Sequence, residues 1–148
     1  MTTHVFAGRA EYAGGLSGAG RTAGAGIEAA LTVPAALAGR GQGTNPEELL
    51  ACSAAACFAI TFSIVAQKRS LAVRRMTVES QCVIDSDPRL SLVRLVHRPR
   101  IELATPGDRE HREQAELVCR IAEQACFVSA ALRAGGVSVD LEPEVIGS

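Results

Sequence analysis

The chain has 148 residues, a net charge of −1 at pH 7 and a hydrophobic content of 47%, which predicts a single globular domain spanning residues 1–148. The balanced charge provides no basic surface that would attract a nucleic acid. An aromatic content of 3% without tryptophan argues against a stacking surface for bases or sugars.

The first 43 residues are rich in glycine and alanine and predict a β-meander. Residues 4–12 and 27–33 carry strand patterns, and the segment 18–26, with four glycines, predicts a flexible connection between them. The N-terminus has no apolar stretch of signal-peptide length, so we expect a soluble, cytoplasmic protein.

A helix start follows and is the clearest local signal in the sequence. Asn45 can cap the helix, Pro46 fits its first position, and Glu48 stands three residues after the cap to complete a capping box. The helix is predicted to end near Arg69 and is apolar on nearly every face, which predicts burial all round. Its apolar run, residues 49–65, is interrupted by serine and threonine and indicates a buried helix rather than a membrane span. Burying such a helix on every side is difficult for one small domain, and a partner subunit is the simplest way to achieve it.

The second half of the chain predicts three more strands and one more helix. The strands cover residues 74–85, 90–103 and 137–141, and the helix covers residues 109–129. Residues 105–108 form the turn that opens this helix. Pro99 suggests that the second strand lies at an edge or contains a bulge. The order of the elements predicts an α+β domain with antiparallel pairing.

The five cysteines are the candidates for chemistry, and the residues alone leave their role open. None forms a C-x-x-C pair and the three histidines do not supply zinc spacings, so we expect no metal and no cofactor. Cys57 lies in mid-helix, where the dipole helps a thiolate little, and it fits a core cysteine. Because no pair close in sequence can form a disulfide, any redox couple must join different elements. Arg21 and Arg40 are candidate cations in glycine-rich segments, with solvated surface as the alternative.

Two stretches at opposite ends of the sequence match the motifs of one family. Residues 43–50 read GTNPEELL, and Cys57-Phe58 follows with Cys57 ten residues after Glu47. Residues 122–129 read AEQACFVS and residues 135–139 read GGVSV. The first stretch resembles the T-N-P-E-x-L helix start, and the second the A-E-x-x-C-P-x-S segment, of the OsmC/Ohr family of organic hydroperoxide reductases. The resemblance covers nearly the whole chain.

The resemblance implies both a fold and an activity. The fold is OsmC-like, with antiparallel sheets wrapped around two long helices in an intertwined homodimer. The activity is that of a two-cysteine thiol peroxidase with an antioxidant role in the stress response. The Cys57 thiolate attacks an organic hydroperoxide, becomes a sulfenic acid and condenses with Cys126 to a disulfide. An external dithiol, in the family often a dihydrolipoyl group, reduces the disulfide, and an arginine held by Glu47 stabilises the thiolate.

The sequence departs from the family pattern at two places. Where many relatives carry G-G-R, with the catalytic arginine, this chain has Leu16 after two glycines. The arginine role is therefore assigned to Arg21, and the alternatives are that Arg40 takes it or that no arginine serves the site. Phe127 replaces the proline that usually follows the second cysteine, which predicts a helix that runs on past Cys126.

The spacing of Glu47 and Cys57 adds a geometric expectation. Ten residues span about 15 Å along a helix, too far for one arginine to bridge within a chain, so Glu47 is expected to act from the other subunit. An apolar site favours alkyl or fatty-acid hydroperoxides over hydrogen peroxide. Cys52 and Cys119 are expected in the core.

Two other functions fit the same scaffold. One is a protein that holds a lipid-like ligand at the apolar dimer interface without turnover, which the missing G-G-R arginine favours. The other is a thiol redox sensor that acts through a partner protein. Fold alone does not choose among the three.

Overall fold

The computed structural model describes residues 1–105 and 107–147. Pro106, part of the predicted turn at residues 105–108, lies outside the described residues, as does Ser148. Contacts divide the chain into two compact units, an N-terminal unit Met1–Leu49 and a C-terminal unit Leu50–Ser148. The single domain over residues 1–148 stays a prediction.

The N-terminal unit contains a three-stranded antiparallel sheet. Its strands, in the order β1-β2-β3, are β1 Gly8–Ala13, β2 Ala19–Gly24 and β3 Glu28–Leu31. The first predicted strand therefore begins four residues later than expected. The glycine-rich segment is the central strand β2, so the prediction of a flexible connection there was wrong.

Close approach of backbones explains two of the glycines, one within β2 and one directly before it. A Cβ atom on Gly20 would lie 2.0 Å from the carbonyl oxygen of Glu11, on the strand that pairs with it. At Gly18 the same atom would lie 2.1 Å from the carbonyl oxygen of Ala13. Only glycine fits such contacts, and its usual weakness as a strand former is outweighed by the pairing on both sides.

Helix α1, Pro46–Lys68, begins where the sequence predicts. The N–H of Glu48 donates to Asn45 Oδ1 at 2.8 Å, which is one half of the capping box. The other half differs, because the Glu48 carboxylate accepts from Thr44 Oγ1 at 2.5 Å. The acidic first turn also suits the positive end of the helix dipole.

Within this chain α1 is not buried on every side. Its buried residues form one stripe with a spacing of four, namely Ala54, Phe58, Phe62 and Ala66, whereas Ile60 is 63% and Ile64 46% exposed. By length and composition it is the one helix in the described part of the chain that could cross a membrane, a property shared with core helices of soluble proteins.

The sheet of the C-terminal unit is built on a long hairpin. The strands β4 Val73–Asp85 and β5 Ser91–Leu103 pair antiparallel, as predicted. The last predicted strand is β6 Ser138–Leu141, and β7 Glu144–Ile146 was not predicted. Both short strands pair parallel to β5, so the sheet is antiparallel in its main hairpin only.

Pro99 lies in the central strand β5, so its assignment to an edge strand was wrong. The irregularities of the β4–β5 ladder fall near Val73 and Val83, so no bulge marks Pro99. On the other side of β5, residues 94–97 pair with β6 and residues 100–102 pair with β7. Pro99 falls between these two stretches, where no ladder partner requires the N–H that proline lacks.

The second predicted helix is two helices, α2 Arg109–Ala125 and α3 Phe127–Ala134. Cys126 separates them with an extended backbone, φ −66° and ψ 114°. Its N–H donates to Ala122 O and its carbonyl accepts from Ala130 N, both at 2.9 Å. A helix running on past Cys126 was therefore the wrong expectation. Phe127 takes the first position of a new helix, a place that proline also fits.

Two buried clusters hold the C-terminal unit together. The larger one joins α1, α2 and β5 through Phe58, Phe62, Ile101, Leu103, Val118 and Cys119, among others. The smaller one is formed by Ala54, Leu95, Cys126 and Val128, with Cys57 and Cys82 packed against it. The smaller cluster places the middle of α1 against the α2–α3 junction.

Candidate functional site

The structure brings the two predicted redox cysteines into contact. Cys57 lies in the middle of α1 and Cys126 at the α2–α3 junction, and both pack in the smaller buried cluster, where the Cys57 thiol is close enough to raise the pKa of the Cys126 thiol. Cys57 is half-buried, whereas Cys126 is fully buried. The sequence separates them by 69 positions, so only the fold can pair them.

The surroundings of Cys126 act on its acidity in two directions. Burial raises the pKa of the Cys126 thiol, and the neighbouring Cys57 raises it further. The hydroxyl and the backbone N–H of Ser129, three residues further along the chain, both lower this pKa. Ser129 lies in the first turn of α3, whose orphan N–H groups favour negative charge.

A buried histidine extends the hydrogen bonding away from the sulfur. His97 Nε2 lies 2.9 Å from Ser129 Oγ, and His97 Nδ1 lies 2.7 Å from Ser80 Oγ. The ring stacks on Phe58 with 5.0 Å between ring centroids. Burial lowers the pKa of His97 to about 4, so the imidazole is neutral near pH 7 and each nitrogen has one hydrogen-bonding role.

Sequence reasoning assigned no role to Ser80, His97 or Ser129. The signal for the histidine was available in β5, where Leu95, His97, Ile101 and Leu103 occupy one face by alternation and are all buried. A lone histidine among apolar residues predicts a satisfied buried polar group. Its partners, one on β4 and one on α3, could not be read from spacing.

The acidic and basic candidates of the predicted site lie in the N-terminal unit. Glu47 Oε2 is buried and has no hydrogen-bond partner among the described residues. Arg21 forms an ion pair with Glu28, and both side chains are more than half exposed. Arg40 donates to Gln42 Oε1 at 3.1 Å.

The remaining cysteines divide between surface and core. Cys119 is fully buried, as expected, and burial raises the pKa of its thiol to about 12. Cys52 is exposed on α1 in this chain, so its assignment to the core was wrong for a single chain. Within residues 1–105 and 107–147, no group of three His, Cys, Asp or Glu side chains could hold a metal ion.

Comparison with known sequences decides the family. The profile of the OsmC-like protein family matches residues 39–142, which is well over half of the chain. The chain belongs to the OsmC-like family. The OsmC-like match includes Cys57, Cys126, His97 and Ser129, and it leaves Arg21 outside.

Solved structures and a sequence relative agree with this assignment. An organic hydroperoxide resistance protein OsmC from Legionella pneumophila superposes with a TM-score of 0.73 at 26% identity, over 97% of this chain and 100% of that one. The organic hydroperoxide resistance protein OhrB of Bacillus subtilis gives 0.64 at 26% identity, over 95% and 98%. The uncharacterized protein YmaD of Bacillus subtilis (strain 168) is 27% identical over 98% of this chain and 97% of its own length. The OsmC-like α+β fold predicted from the sequence is confirmed.

Proposed function

We propose that this OsmC-like protein is a thiol-dependent peroxidase that reduces organic hydroperoxides to alcohols with Cys57 and Cys126. The observation that carries the proposal is that the two thiols pack together in the smaller buried cluster and interact directly. The fold thus brings two cysteines from separate elements side by side, which is what a reversible disulfide requires.

The first step uses the more accessible thiol. The Cys57 thiolate attacks the outer oxygen of the hydroperoxide, the O–O bond breaks, and the alkoxide takes up a proton and leaves as the alcohol. Cys57 is thereby oxidised to a sulfenic acid. The different exposure of Cys57, half-buried, and Cys126, fully buried, supports this assignment because the peroxide must reach the sulfur.

The second step closes the disulfide. The Cys126 sulfur attacks the Cys57 sulfur, the S–O bond breaks, and the hydroxide leaves as water with the proton that the Cys126 thiol gives up. An external dithiol, such as a dihydrolipoyl group, then reduces the disulfide by two exchange reactions. Organic hydroperoxide resistance is the named role of the Legionella pneumophila and Bacillus subtilis relatives, and this supports the choice of substrate.

An arginine is proposed to stabilise the Cys57 thiolate and to polarise the peroxide. Glu47 is the residue proposed to hold its guanidinium, because a buried carboxylate oxygen without a partner is costly unless a cation or another donor satisfies it. Arg21 is the first candidate and Arg40 the second. Arg21→Ala is expected to lower peroxide turnover far more than Arg40→Ala, and the reverse order would transfer the role to Arg40.

The chain is proposed to work as a soluble, cytoplasmic homodimer. Apolar side chains on the outer face of α1, Ile60 and Ile64 among them, are exposed in the single chain. Covering that face with a second copy removes apolar area from water. It would also allow Glu47 of one subunit to serve the other subunit's site, as the separation of about 15 Å along the helix requires.

Steady-state turnover tests the proposal. Purified protein is given cumene hydroperoxide and dihydrolipoamide, and consumption of the peroxide is followed for wild type, Cys57→Ser and Cys52→Ser. The matched control, Cys52→Ser, changes an exposed thiol of the same helix. We expect full activity in the control and none in Cys57→Ser. No turnover by wild type, or full activity in Cys57→Ser, would contradict the peroxidase function and favour ligand binding or redox sensing.

A further inference from the structure

We propose that Ser129 is a catalytic hydrogen-bond donor to the Cys126 sulfur and that His97 and Ser80 are positioning residues that fix the direction of its hydroxyl. The proposal rests on the peroxidase function above and deepens its second step. Ser129 contacts a reacting atom, whereas His97 and Ser80 act through it.

The hydrogen-bond chain has one consistent direction when Cys126 is a thiolate. The hydroxyl of Ser129 has a single proton, so a donation to the Cys126 sulfur leaves its oxygen to accept from His97 Nε2, 2.9 Å away. His97 Nδ1 is then the acceptor and takes the proton of Ser80 Oγ at 2.7 Å. Every polar side-chain atom in this series of hydrogen bonds then has a partner, and each donor points toward the Cys126 sulfur.

The direction of these hydrogen bonds reverses when Cys126 is a thiol. The thiol then donates to Cys57 or to Ser129, the Ser129 hydroxyl turns to His97 Nε2, and Nδ1–H donates to Ser80. A neutral imidazole supports either arrangement by exchanging tautomers, as one ring nitrogen gains a proton and the other loses one, so His97 itself stays uncharged. Ser129 and His97 are fully buried and Ser80 is half-buried, so the hydrogen bonds lead from the buried sulfur toward the surface.

The reaction needs such donors at Cys126 more than at Cys57. A fully buried sulfur has little water to stabilise its negative charge, and Cys126 must carry that charge as it attacks the Cys57 sulfur. Within the hydrophobic cluster around this sulfur, Cys57 of α1 and Cys82 of β4 are the other thiols, and Cys57 raises the pKa of Cys126 rather than lowering it. The Ser129 hydroxyl and N–H are therefore the donors that compensate for burial.

The consequence is a separation of the two chemical steps. Removing the Ser129 hydroxyl leaves the attack of Cys57 on the peroxide unchanged and slows disulfide formation. Loss of a hydrogen bond to a charged group corresponds to a slowing of about tenfold or more. It also moves the pH profile of disulfide formation to higher pH.

A single-turnover experiment measures the two steps apart. Reduced protein in a Cys52→Ser background receives one equivalent of cumene hydroperoxide, and samples quenched in acid are digested and analysed for Cys57 sulfenic acid and for the Cys57–Cys126 bond. Ser129→Ala is expected to form sulfenic acid at the wild-type rate and the disulfide about tenfold more slowly. Ser80→Ala changes the half-buried end of the hydrogen-bond series and is expected to slow disulfide formation less than Ser129→Ala does.

Two further variants distinguish positioning from packing. His97→Gln places an amide near the position of Nε2 and can still donate to Ser129, so it is expected to retain more of the rate than His97→Leu. If Ser129→Ala, Ser80→Ala and His97→Leu all keep the wild-type rate and pH profile of disulfide formation, the proposal is wrong. Equal slowing of sulfenic acid formation and of disulfide formation would also refute the proposal, since a merely structural role predicts equal losses in both rates.

A second oxidant keeps this test independent of the peroxidase function. Diamide oxidises a thiol pair through an adduct on one sulfur, which the second thiolate displaces, so it requires the attack by Cys126 without any peroxide. Absence of peroxide consumption by wild type would reject the proposed function alone. Slower diamide-driven formation of the Cys57–Cys126 bond in Ser129→Ala would still support the role of Ser129, and an unchanged rate would reject it.

Discussion

The buried His97 makes the stability of the fold depend on pH in a predictable direction. Burial lowers the pKa of His97 from 6.5 to about 4, so between these values the unfolded chain binds a proton that the native protein does not. Stability therefore rises as pH increases from 4 to 6.5. A shift of this size corresponds to about 3 kcal/mol of unfolding free energy at pH 7, which disappears as the pH falls to 4.

Urea denaturation of wild type and His97→Gln measures this contribution. Far-ultraviolet circular dichroism is the suitable probe because the chain has no tryptophan, and all samples need one protein concentration because a dimer unfolds in a concentration-dependent way. The packing lost in His97→Gln costs the same free energy of unfolding at every pH, and the carboxylates titrate alike in both proteins. The histidine is therefore the source of any pH-dependent difference between them. The wild type is expected to exceed His97→Gln by about 3 kcal/mol more at pH 7 than at pH 4. A difference independent of pH would refute the buried, neutral histidine.

Three further predictions concern the helix start, the N-terminal sheet and the outer face of α1. Asn45→Ala removes the acceptor for the Glu48 N–H and is expected to lower the unfolding free energy by about 1 kcal/mol, measured by urea denaturation. Gly20→Ala brings a Cβ to 2.0 Å from a carbonyl oxygen and is expected to cost about 1–3 kcal/mol, whereas Gly26→Ala meets no atom within 4 Å; equal losses would contradict the close approach. Ile60→Lys is expected to convert a dimer to monomers in light scattering, and a monomeric wild type would contradict the proposed homodimer.

Local signals in the sequence predicted most of the C-terminal unit and the start of α1. The cap at Asn45, Pro46 after it and the acidic first turn are short-range interactions, so they could be read directly. The β4–β5 hairpin was equally accessible, because strand patterns flank a turn at residues 86–88. The pairing of Cys57 with Cys126 was implied only by the family resemblance, because nothing in their spacing brings them together.

The features that were missed depend on contacts between distant residues. Gly20 lies in a strand because β2 pairs with β1 and β3 on its two sides, whereas composition alone indicates a loop. The break at Cys126 lies in a stretch, residues 122–129, that contains neither glycine nor proline, so tertiary packing rather than a helix-breaking residue accounts for it. His97 has its hydrogen-bond partners on β4 and α3, so its environment could be described only once the fold was known.

The most direct test of the central claim is the mass of the protein after one equivalent of cumene hydroperoxide without any reductant. Wild type is expected to lose the mass of two hydrogen atoms, with the bond located between Cys57 and Cys126, and Cys126→Ser is expected to hold a sulfenic acid on Cys57 that dimedone captures. An unchanged wild-type mass, or a bond that joins other cysteines, would contradict the account.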